Sequence, residues 1–151
     1  MTRNQAELTY LRAEVRNASS VRLVIILYDL LIAALGGAIK AITNNDAEER
    51  SRELQRAFLV IEQMEGSLDM EAGGNAAENL ARFYATLRRN IMIAHAQASA
   101  ALLEKQIRLL LQVRGAWVKV DGQDSIATVT IPSTDGEVDK DRSQLATNWT
   151  A

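Results

Sequence analysis

Apolar residues recur with helical spacing through four successive stretches of the chain. The first follows Ser19-Ser20, either of which can accept a backbone N–H and cap a helix. Its main stripe reads Leu23, Leu27, Leu30 or Leu31, Ala34, Ala38 and Ile42. Asn44-Asn45 tolerate a left-handed turn and predict its end. Asp46, with Glu49 at capping-box spacing, predicts the start of a second helix carrying Leu54, Ala57, Phe58, Ile61, Met64 and Leu68. Gly73-Gly74 is the expected stop. Asn75, with Glu78 at the reciprocal position, is the expected cap of a third helix with stripe Ala76, Leu80, Phe83, Leu87, Ile91 and Ala94. A break over 97–99 leads into the fourth, with Leu103, Ile107, Leu110, Val113 or Arg114, and Trp117. A weaker pattern led by Leu8, Leu11 and Val15 predicts a short helix over 5–16.

Connections this short return each helix alongside its predecessor. The expected fold is therefore all-α, an antiparallel up-down-up-down four-helix bundle with a short N-terminal helix as a cap. After Val120 the helical stripe ceases and polar, turn-forming residues dominate. Ile126 to Ile131 alternates weakly, but a lone strand has no sheet to join. Three segments result: an N-terminal cap over 1–18, the bundle over 19–120, and a disordered, acidic C-terminal tail over 121–151.

The first helix has more apolar surface than one stripe requires. Val24, Ile25, Tyr28, Ile32, Ala33 and Ile39 surround much of its remainder, and Leu102, Leu109, Leu111 and Val113 form a similar surplus on the fourth. Such side chains need cover from a neighbouring helix, an oligomer partner or a bound client. Periodicity alone leaves a fully packed central helix and a client groove both open. Helix 1 is also nearly continuous enough to span a bilayer, but insertion would carry Arg22 and Asp29 into or near hydrocarbon, at about 2.5–3.5 kcal/mol for a central Asp. No membrane insertion is expected.

Composition narrows the chemistry. The 151 residues are 48% hydrophobic, enough for one buried domain. With no cysteine there is no disulfide, thiolate site or cysteine nucleophile. The single histidine, His95, has Met92 where a Glu-x-x-His metal motif needs glutamate, so no metal site and no cofactor are expected. Spacing suggests no nucleophile–base pair and hence no catalytic residue. Net charge is −2 with basic residues scattered, which argues against a nucleic-acid partner. The first residues carry charges and no uninterrupted apolar run, unlike a secretory signal, so a cytoplasmic location is expected.

Several stretches in order resemble the flagellin-specific export chaperone family, FliS. They are Tyr10 followed by Val15 to Ser20 and LVIILYDLL (Leu23 to Leu31), SLDMEAGG (Ser67 to Gly74) followed by Asn79-Leu80, Phe83-Tyr84 with Leu87-Arg88-Arg89, and VRGAW (Val113 to Trp117). Ser20 stands where the family pattern has proline, Leu30 where it has glycine and Gly115 where it has aspartate. The resemblance implies a bundle whose apolar grooves hold the C-terminal segment of flagellin in the cytoplasm. It implies that this prevents premature polymerisation and that the client is delivered to a component of the flagellar export gate. The client-binding residues it implies are Tyr10, Val15, Leu23, Ile26, Leu27, Tyr28, Leu31, Asn79, Leu109 and Val113. Tyr28 and Asp29 can line the groove, or equally Tyr28 can close the core with Asp29 outside it, and Asn79 fits a cap or loop hydrogen-bonder better than a specificity residue. A self-associating helical scaffold, or a regulator binding another flagellar protein, is the alternative, and a weak homodimer is left open.

Overall fold

The computed structural model describes Gln5, Ala6 and residues 20–122. Within them lie four helices and no strand: α1 Ser20–Thr43, α2 Ala47–Gly66, α3 Gly74–Gln97 and α4 Ala100–Asp121. Each helix packs on its two neighbours, α1 on α2 and α4, and α3 on α2 and α4, giving the expected antiparallel bundle. Gln5 and Ala6 are helical. The remainder of the expected N-terminal helix and the tail beyond Gly122, including Ile126 to Ile131, lie outside the described residues.

Local chemistry sets most of the boundaries. Asn45 takes a left-handed φ of 53° and ends α1. The Asp46 carboxylate then accepts the Glu49 N–H at 3.0 Å. Glu49 does not complete the reciprocal half of a capping box, because its carboxylate binds Arg52 at 2.6 Å instead. Ser99 caps α4 by accepting the Leu102 N–H at 3.2 Å. Before it, Ala98 closes α3 with φ 49°. A β-carbon in that conformation is strained by about 1–2 kcal/mol. Replacing Ala98 with glycine is therefore expected to stabilise the bundle by about 1 kcal/mol, read as a rise in the urea midpoint at unchanged slope.

The boundary between α2 and α3 departs from expectation. Helix α2 ends at Gly66, where the Ser67 hydroxyl donates to the Met64 carbonyl at 2.7 Å. Asp69 then accepts from the Glu71 and Ala72 N–H groups and builds a turn. Gly73-Gly74 does not stop α2; it starts α3, with Gly73 as a cap lacking a side-chain hydrogen bond and Gly74 at φ 51°. Asn75 is consequently inside the helix rather than its cap.

The core stripes of α2, α3 and α4 follow the expected phase, with Leu54, Ala57, Ile61, Met64, Leu80, Phe83, Leu87, Ile91, Leu103, Leu110 and Trp117 buried. Each Leu, Ile, Phe or Met among them contributes about 1.5–3 kcal/mol on leaving water. On α1 the expected Leu31, Ala34 and Ala38 are buried, whereas in the first turns the phase is rotated by one residue. The buried positions are Val24, Ile26, Tyr28, Leu31, Ala34, Leu35, Ala38 and Ala41, while Leu23, Leu27, Leu30 and Ile42 are half-buried. Gln106 sits in the α4 stripe at 1% exposure, with the Asn90 amide donating to its carbonyl oxygen at 3.4 Å. Across the diagonal of the bundle, the Tyr28 and Tyr84 hydroxyls meet at 3.0 Å with their rings edge to face.

Candidate functional site: the groove between α1 and α4

Where the first half of α1 runs beside the last half of α4, the two helices leave a groove of about 380 Å³. Its apolar lining is Ile25, Ile26 and Leu30 from α1 and Val118 from α4. Its charged lining is Arg22 and Asp29 from α1 and Arg114 and Asp121 from α4. The Arg114 guanidinium donates to both Asp29 oxygens, at 2.6 and 3.2 Å. Arg22 lies 3.6 Å from the Asp121 carboxylate. Donating to the Asp29 carboxylate holds the Arg114 guanidinium above its ordinary value, against an opposing effect of burial.

The expected site residues divide sharply by position. Ile26 lines the groove and is buried. Leu27 and Leu109 are half-buried and packed against the core, and Leu23 is half-buried. Tyr28, Leu31 and Val113 are fully enclosed, so they shape the bundle beneath the groove and present no surface to a client. Tyr28 thus takes the core role, while Asp29 lines the groove and pairs with Arg114. Asn79 is half-buried within α3, outside the groove. Tyr10 and Val15 lie outside the described residues. Arg22, Ile25, Leu30, Arg114, Val118 and Asp121 were not among the expected site residues. The signal that could have found the charged ones is an Arg followed seven residues later by Asp, present in both helices.

Beneath this region lies a buried polar cluster. Burial pushes the Tyr28 phenol well above its ordinary range, while the hydrogen bond with Tyr84 opposes the shift. Burial, reinforced by Tyr28, pushes Tyr84 up as well. His95 is half-buried, and no group of three or more metal-ligating side chains occurs among the described residues. Among the described helices, only α1 is long and apolar enough to cross a membrane. In the bundle it packs between α2 and α4, with Arg22 and Asp29 both ion-paired to α4.

The fold and the site define an antiparallel four-helix bundle with a groove between two helices, half apolar and half charged in its lining. Its family is more specific: the sequence profile described as flagellar protein FliS matches residues 2–124, and the chain belongs to that family. It is 28% identical over 107 residues to the flagellar secretion chaperone FliSB of Pseudomonas aeruginosa, covering 71% of this chain and 85% of that one. It is 28% identical over 112 residues to the flagellar secretion chaperone FliS of Salmonella typhimurium, covering 74% and 83%. The corresponding chaperone of Escherichia coli is 27% identical over 104 residues, covering 68% and 76%.

Proposed function

We propose that this chain is the secretion chaperone of its organism's flagellin. It takes up the C-terminal helical segment of flagellin in the cytoplasm, keeps that segment from polymerising, and hands it to the flagellar export apparatus. The α1–α4 groove carries this reading, because it offers an apolar floor to a guest helix on a chain of the FliS family. Leu30 lines that floor where the family pattern has glycine, which adds apolar contact and narrows the space for the guest.

Ordering a flexible client consumes part of the contact energy, so moderate affinity and stepwise release are compatible with protection. Mixing the full chain with the C-terminal segment of its own flagellin is expected to give a one-to-one complex on gel filtration at micromolar concentration. Absence of a complex there contradicts the proposal. A self-associating scaffold would instead show a multiple of the chain mass in the isolated protein.

A further inference from the structure

The four charges around the groove form a box matched to the pitch of a helix. Arg22 and Asp29 on α1, and Arg114 and Asp121 on α4, each stand seven residues apart, so each pair shares one helix face about 10 Å apart, two turns along. Because α1 and α4 run antiparallel, Arg22 meets Asp121 and Asp29 meets Arg114, and the signs alternate around the four corners. Ile25, Ile26, Leu30 and Val118 line the same groove. Exposed ion pairs of this kind contribute little to holding two helices together. Their more exposed members are both on α1: the side chains of Arg22 and Asp29 are 55% and 52% accessible, against 26% for Asp121 and 32% for Arg114. A guest lying in the groove therefore meets a cation and an anion of α1 at a fixed separation.

We infer that this box specifies the guest: it selects an amphipathic helix whose apolar face carries, at its edge, an acidic and a basic residue seven apart. The guest acid faces Arg22 and the guest base faces Asp29. This selects by complementary charge at close range, while the apolar floor supplies the bulk of the contact. Arg22 and Asp29 are thus specificity-determining residues of the groove, resting on the proposed uptake of the flagellin C-terminal segment.

A variant that inverts the whole box, R22D/D29R/R114D/D121R, separates this role from a structural one. Every internal pair is regenerated with its signs exchanged, so the α1–α4 contact is kept while the guest meets reversed charges. Affinity for the native flagellin segment, measured by titration calorimetry at low salt, is expected to fall at least about tenfold. Inverting the acid and base of the segment is expected to restore it. The reverse arm needs no change in the chaperone: the inverted segment binds the native chain at least about tenfold more weakly than the native segment does. Equal affinity for native and inverted segments overturns the inference and leaves the chaperone reading standing, as does a flagellin segment with no such pair of charges. Failure of the native chain to take up the native segment overturns the reading, and the charge selection with it.

Discussion

Replacing Trp117 with alanine is expected to lower the free energy of unfolding by about 3–5 kcal/mol. The side chain is fully enclosed between the helices and is the largest in the core. Its removal forfeits apolar burial and leaves a void that the surrounding rods cannot close. It also opens a cluster, around the Tyr28 and Tyr84 hydroxyls, that is otherwise closed to water. A small domain is stable by about 5–15 kcal/mol in total, so this one change threatens the fold at physiological temperature. Urea denaturation followed by far-ultraviolet circular dichroism is the suitable measurement, since Trp149 also fluoresces. A loss below about 1 kcal/mol would show that the core can repack around the gap.

Alkaline pH is expected to have the second large effect. Tyr28 and Tyr84 are both held above the ordinary phenol value of about 10, chiefly by burial. In the unfolded chain both lose their protons near pH 10, while in the folded bundle they retain them. The folded state then binds more protons than the unfolded one, so stability decreases as pH rises. The contribution is fully present below about pH 10. Above that it is lost at up to about 1.4 kcal/mol per pH unit for each phenol. Lysines also titrate in this range, so the comparison needed is with a Y28F/Y84F variant. That variant removes the hydrogen bond between the two phenols and begins from a lower stability at neutral pH. Its dependence on pH between 10 and 12 is nevertheless expected to be shallower than that of the native chain. Parallel curves would contradict the assignment.

Three of the four core stripes were legible because one apolar face alternated with polar ones, and burial followed the letters at Leu54, Ile61, Leu80, Leu87, Leu103 and Leu110. Helix α1 was legible at Leu31, Ala34 and Ala38 but not in the phase of its first turns. Being apolar nearly all round, it allows Leu23 and Leu27 as readily as Val24 and Tyr28, and only the neighbouring helices decide. Gln106 was missed because a polar letter inside an apolar stripe does not announce burial. The two glycines at 73 and 74 signalled a break correctly but not its direction, since Ser67 and Asp69 had already ended α2.

The site was less legible than the fold. Of the ten expected client-binding residues, Ile26 lines the groove, whereas Tyr28, Leu31 and Val113 serve the core. A groove between two helices depends on their relative register, which neither helix's own periodicity contains. The spacing of Arg22 to Asp29 and of Arg114 to Asp121 was visible in the sequence. It acquired meaning only once antiparallel packing placed each Arg beside the other helix's Asp.

Alternating corners also determine how far the groove can be felt. Two cations and two anions at the corners of a small rectangle cancel as monopoles and, when the sides match, as a dipole. The remaining quadrupole decays steeply, and at physiological ionic strength the screening length of about 8 Å is shorter than the box itself. Under the proposed uptake, a guest in solution is therefore not drawn in from a distance, and right and wrong segments arrive at similar rates. They separate only after touching down, in how long each one stays.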